Sequence, residues 1–202
     1  MRLGFFGGTF NPVHKGHLVL AQRAVEALRL NHLWWLPANP WQKEASLLIN
    51  AHDRTEMIKA AIRDFPNMSV DSRELDRCAL SYSIDTVKEL ANDYPNDDRF
   101  YLIGSDQWKN FHTWKCWQNI FNFVNLVVFT RNGQWDEPHP EVADFVLEKR
   151  IKIIKLEMPA LDIDSSRIRA LLFSKKASQE ELLTMLPSSV LDYLKSKLNR
   201  KD

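Results

Sequence analysis

Short apolar runs alternate with segments of helical period along most of this chain, and that alternation leaves few folds open to it. Leu3–Phe6, Leu33–Leu36, Phe100–Ile103, Leu126–Thr130 and Ile151–Leu156 read as strands, with a weaker run at Met68–Val70. Between them, Leu18–Leu30, Asp53–Phe65, Ile84–Tyr94 and Glu141–Lys149 carry helical spacing. In the first of these, Ala21, Ala24, Val25 and Leu28 line one face, while Arg23 and Glu26 lie away from it. The pattern predicts an α/β fold, a Rossmann-like, doubly wound and mainly parallel sheet with helices on both faces. From Asp164 to Asp202 there is no strand signal, and the leucine spacing suggests two or three short helices, with Pro187 starting the last. We therefore expect one domain over residues 1–202, with an α/β core over 1–163 and a C-terminal helical segment over 164–202.

Charge and cysteine content exclude several functions. With 27 basic against 26 acidic residues the formal net charge is +1, which gives no electrostatic case for general nucleic-acid or membrane affinity. Cys78 and Cys116 form no CxxC pair, so neither a zinc knuckle nor a disulfide framework is expected, and their usage fits a reducing cytoplasm. The first apolar run stops at Gly7, too soon for a secretory leader, and no segment has the length and apolarity of a membrane span. A cytoplasmic protein is expected.

Chemistry concentrates where strands end. Sheets of this kind bind ligands at the carboxyl ends of their strands, near the point where strand order reverses. After the first strand the chain reads GGTFNPVHKGH, from Gly7 to His17. Glycines let the backbone approach a ligand, and the N–H groups of a helix's first turn have no partner within the helix. Histidines three residues apart, His14 and His17, can point at one anion. A strand, a glycine turn and two histidines at a helix start form a cradle for phosphate. No third ligand stands near the pair, so no protein-bound metal is expected.

Four further segments stand at or just after strand ends: Pro37–Lys43, Leu80–Thr86, Gly104-Ser105-Asp106 followed by Trp108, Trp114 and Trp117, and Asp164–Arg169. Taken singly, each has a plain structural reading. Trp114 reads as packing, Asp106, Ser165 and Ser166 as helix caps, and Lys43 and Arg169 as solvated cations.

Taken together and in this order, the segments resemble the bacterial nicotinate-nucleotide adenylyltransferases, within the HxGH nucleotidyltransferase superfamily. Gly7–His17 matches the superfamily opening GGTF-(D/N)-P-x-H-x-GH throughout, and Asp164–Arg169 meets the tail signature SSTxIR. Ser81–Thr86 and Gly104–Asp106 with Trp114 supply the remaining elements. The resemblance implies transfer of the adenylyl group of ATP to nicotinate mononucleotide, giving deamido-NAD and pyrophosphate by direct in-line attack, with Mg2+ carried by ATP. It implies a catalytic set of His14, His17 and Arg169. It also implies ATP contacts from Gly7, Gly8, Thr9, Phe10, Gly104, Asp106, Ser165 and Ser166. For the mononucleotide it points to Asn39, Lys43, Thr86 and Trp114, with Arg131 a weaker candidate. Two other readings stay open at this point: the same chemistry on nicotinamide mononucleotide or another phosphorylated acceptor such as phosphopantetheine, and a non-catalytic dinucleotide sensor.

The match departs from the pattern in places. Pro40-Trp41-Gln42-Lys43 stands where relatives carry Pro-Pro-His-Lys, so Trp41 is expected either to stack on substrate or to cover the site. Asp164 and Ser166 replace serine and threonine in the tail, and Asp164 is expected to turn outward and cap the helix, away from the triphosphate.

Overall fold

The computed structural model describes residues 1–38, 49–77, 80–130, 135–157, 162–174 and 177–198. Six strands form one sheet in the order β3-β2-β1-β4-β5-β6, every pairing parallel. They are β1 (Arg2–Gly8), β2 (His32–Pro37), β3 (Met68–Val70), β4 (Asp98–Gly104), β5 (Asn125–Thr130) and β6 (Ile154–Glu157). The helices are α1 (Lys15–Leu28), α2 (Ala51–Ile62), α3 (Arg73–Asp76), α4 (Ser83–Asp93), α5 (Ser105–Lys109), α6 (Trp117–Ile120), α7 (Pro140–Glu148), α8 (Ser165–Ser174), α9 (Gln179–Met185) and α10 (Ser188–Leu198), with a 3-10 turn at Phe111–Thr113. The chain winds outward from β1 to β3, then crosses back to lay β4 on the other side of β1. The point where strand order reverses is thus the β1–β4 pair.

Strand periodicity divides the core. Phe6 packs on one face with Trp35, Met57, Ile58 and Phe129, while Phe5 packs on the other with Leu36, Val87, Trp108 and Phe111. Successive side chains of a strand leave on opposite faces, so both faces of a covered sheet must be apolar. The tail helices join the first face: Ile168, Leu182, Met185, Leu186, Val190 and Leu191 belong to the Phe6 cluster. Ser189 Oγ donates to the carbonyl of Ala60, and Tyr193 Oη donates to Asp53, which fastens α10 along α2.

Element boundaries move where a turn borrows an apolar residue. The helix expected over Leu18–Leu30 runs from Lys15 to Leu28. Arg29 adopts a left-handed conformation at φ 49°, and the N–H of Leu30 closes back on the carbonyl of Val25 at 2.9 Å. Leu30 is still buried, against Gly4, so it kept the apolar period going after the helix had ended. The same device ends α7: Arg150 is left-handed at φ 53° and Ile151 N–H bonds the carbonyl of Val146 at 2.9 Å. The strand expected from Ile151 therefore begins only at Ile154.

Candidate active site

β1 delivers Gly7 and Gly8 to the carboxyl edge of the sheet, beside Pro37 of β2 and close to Gly104, which ends β4. Beyond Gly8 the chain turns sharply. Phe10 takes a left-handed backbone at φ 46°, and the Asn11–Pro12 peptide bond is cis. The Phe10 ring folds back beneath Gly8, where a Cβ would lie 2.9 Å from the ring. That ring is buried and packs at 5.3 Å from Phe6, 5.1 Å from Trp35 and 5.1 Å from His17. Phe10 thus serves as floor beneath the loop, and only its backbone remains for a nucleotide.

His14 caps α1. Its carbonyl accepts from the N–H groups of His17 and Leu18, at 2.9 and 3.3 Å. Its own N–H donates to His17 Nδ1 at 3.2 Å. An acceptor Nδ1 puts the proton of the neutral imidazole on Nε2, so His17 offers Nε2–H as a donor. The two imidazoles stack at 3.7 Å with planes 23° apart. Gly16 makes room for this, since a Cβ there would sit 3.0 Å from the His14 ring.

The tail signature closes on this loop. Arg169 Nη1 donates to the carbonyl of Asn11 at 2.8 Å, Nη2 donates to Ser166 Oγ at 3.0 Å, and Ser165 Oγ donates to the carbonyl of Pro12 at 3.2 Å. Asp164 accepts from the N–H of Arg167 at 2.8 Å, so it caps α8 as expected. At the other side of β1, the Asp106 carboxylate lies over Gly104, where a Cβ would come within 2.7 Å of Oδ1. Asp106 is exposed, in the first turn of α5. His14, His17, Ser165, Ser166 and Arg169 are thereby brought together, with Gly104 and Asp106 at the neighbouring strand end.

The mononucleotide candidates are distributed differently. Trp114 is half-buried against Phe111, with ring centroids 5.0 Å apart, on the border of the second face. Lys115 Nζ stands 4.2 Å over the ring of Tyr82, which joins Trp114 to the Ser81–Thr86 segment. Thr86 lies deeper than Trp114. Its side chain is fully buried; its hydroxyl donates to Glu74 Oε1 at 2.8 Å and accepts from Arg77 Nη1 at 2.9 Å. The hydroxyl is engaged inside the protein and holds the start of α4. Asn39, Trp41, Lys43 and Arg131 lie outside the described residues.

Glu74 is the centre of that buried group. Burial pushes its carboxyl above the ordinary range, while the Thr86 hydroxyl and Arg77 pull the other way. Burial likewise raises the Tyr101 hydroxyl, which lies 3.0 Å from where Gly7 would carry a Cβ. A carboxyl whose folded pKa is raised gives stability in full below its unfolded pKa and loses it as pH rises through the folded value. Glu74→Gln, which mimics the protonated form, is therefore expected to gain in melting temperature relative to wild type as pH rises from about 4 to about 8. Parallel stability curves over that range would show that Glu74 does not titrate on unfolding.

Neither Glu74 nor Arg54 stood out in the strand-end reading. For Arg54 a signal existed, because it falls in the stripe Arg54, Met57, Ile58, Ala61, Ile62, where an aliphatic residue is the rule.

Residues 5–171 match the cytidylyltransferase-like family, so the chain is a nucleotidyltransferase-type protein of that class. Within that class it belongs to the nicotinate-nucleotide adenylyltransferases. It is 40% identical, over 96% of its length and 89% of the relative's, to a probable nicotinate-nucleotide adenylyltransferase of Methylibium petroleiphilum. It is 39% identical to that of Bordetella petrii, over 96% of this chain and 95% of the relative. The fold is that of the Plasmodium falciparum nicotinic acid mononucleotide adenylyltransferase complexed with NaAD, with TM-score 0.77 and 17% identity over 97% of this chain and 95% of that one. Among the described residues, no helix is long and apolar enough to cross a membrane.

Proposed function

We propose that this chain transfers the adenylyl group of ATP to nicotinate mononucleotide, releasing pyrophosphate and forming deamido-NAD. The observation that carries the reading is the clamp at the reversal point of the sheet. There the His14/His17 stack at the start of α1 and the Arg169–Asn11 and Ser165–Pro12 bonds surround one loop. In-line transfer asks for alignment of two polyanions and neutralisation of growing charge more than for a protein nucleophile. An oxygen of the mononucleotide phosphate attacks the α-phosphorus, that P–O bond forms, and the bond from the α-phosphorus to the bridging oxygen of the leaving pyrophosphate breaks. His17 Nε2–H and His14 would meet charge on the phosphates, assisted by the positive end of α1. Gly7, Gly8, Thr9 and Phe10 would offer backbone, and Ser165, Ser166 and Arg169 would border the triphosphate. Gly104 and Asp106 would meet the adenosine, with Asp106 accepting from hydroxyl or amino groups.

For the mononucleotide, the Trp114 ring offers a flat apolar face, and Asn39 and Lys43 are the loop candidates. Thr86 would contribute by fixing the α4 terminus. Mg2+ bound to ATP would neutralise its phosphates. The imidazole, guanidinium and N–H donors at the loop suit a phosphate chain that brings its own ion, and Asp106 is the nearby carboxylate able to accept from that ion's water.

Pyrophosphate release with ATP and magnesium, compared between nicotinate and nicotinamide mononucleotides, tests the reading. Strong preference for the nicotinate form is expected. Preference for the amide would move the pathway but keep the chemistry, and release with neither would reject it.

A further inference from the structure

Arg54 is 1% exposed, in the apolar stripe that α2 turns toward the core. Its Nη1 donates to the carbonyls of Thr9 at 2.7 Å and Ala38 at 2.8 Å. Its Nε is buried with no acceptor among the described residues, and none of their ion pairs includes Arg54. The adjacent Asp53 does not serve as counter-ion, since it is engaged by Lys197 Nζ at 2.8 Å and Tyr193 Oη at 2.6 Å. Burial draws the guanidinium below its ordinary pKa, yet an arginine keeps its proton in a protein.

A buried cation without a counter-ion is unfavourable, and two carbonyl dipoles compensate it only in part. Leucine or methionine would fill the stripe without that penalty. Placement gives the charge a reason. Thr9 follows β1, Ala38 follows β2, and the N–H of Ala38 bonds the carbonyl of Gly8 at 2.8 Å. A single nitrogen therefore ties the loop leading to His14 to the end of β2 at Ala38.

We propose that Arg54 is a positioning residue for adenylyl transfer, fixing the loop after β1 to the end of β2 and setting one buried positive charge behind the place where the phosphates of the two substrates meet. The proposal rests on the adenylyltransferase reading above. Bound phosphate supplies a counter-charge that the described residues do not, and because the guanidinium is buried its attraction is screened less than that of a surface lysine.

Titration calorimetry with nicotinate mononucleotide and with nicotinate riboside, which lacks the phosphate, separates this role from simple loop support. Arg54→Gln is expected to raise Kd for the mononucleotide about tenfold and to leave the riboside within about twofold. Arg54→Lys, which keeps the charge, is expected to recover most of the loss. Equal weakening of both ligands in Arg54→Gln would make Arg54 a structural tie and overturn the proposal, as would no weakening of either. If the glutamine variant does not fold, the lysine variant decides: near-normal affinity for both ligands supports the proposal, and equal loss of both overturns it. A wild-type protein that neither binds nor converts the mononucleotide would reject the adenylyltransferase reading itself.

Discussion

His17→Ala is expected to lower kcat for pyrophosphate release by about two to three powers of ten, the usual effect of deleting one preorganised donor to developing charge. The preorganisation is visible. The N–H of His14 occupies Nδ1, the His14 ring stacks at 3.7 Å, and the Phe10 ring abuts at 5.1 Å. One tautomer and one orientation are thereby favoured before substrate arrives, with the ring proton on Nε2. Because that donor acts chiefly on the reacting phosphate, kcat should fall more than KM for ATP rises. A folded His17→Ala protein turning over near the wild-type rate would remove His17 from the chemistry.

Phe6→Ala should destabilise the protein by about 3–5 kcal/mol in urea denaturation. Phe6 is buried at the middle of the sheet, and its ring meets four aromatic neighbours: Trp35 at 5.1 Å, Phe10 at 5.3 Å, Phe129 at 5.7 Å and His17 at 6.2 Å. Neighbours attached to different strands and to the loop after β1 cannot all collapse into the space, so a cavity remains. The loss should also reach function at temperatures where the variant is still folded, since the ring supports both Phe10 and His17. Loss of under about 1 kcal/mol would mean that the aromatic group repacks freely.

Much of this fold can be read from apolar period alone. Phe5 and Phe6 lead to opposite cores because strand residues alternate, and β1, β2, β4 and β5 extend only a residue or two beyond their apolar runs. What escaped the eye is explained by length and distance. The helices α3, α5 and α6 span four or five residues, too few to establish a 3.6-residue period. The loop and tail motifs were each visible, but not that Arg169 grips the carbonyl of Asn11 across 158 positions of sequence. Thr86 is legible as part of a motif, but its hydrogen bond to the buried Glu74 carboxyl is not, because sequence does not tell which group a hydroxyl faces. Arg54 sits within an apolar stripe, and apolar spacing alone does not tell whether an arginine there is buried or reaches solvent on a neighbouring face.

The bonds from Ser165 and Arg169 to the carbonyls of Pro12 and Asn11 have a consequence for how the protein comes into being. A chain growing from its amino end lays down its phosphate loop first and gains the clamp for it only when residues 165–169 leave the ribosome. Until then the loop can fold but is not held. With the roles proposed above for Ser165 and Arg169, chains cut short before Arg169 are expected to carry no adenylyl transfer, and activity is expected to arrive late in synthesis, in one step.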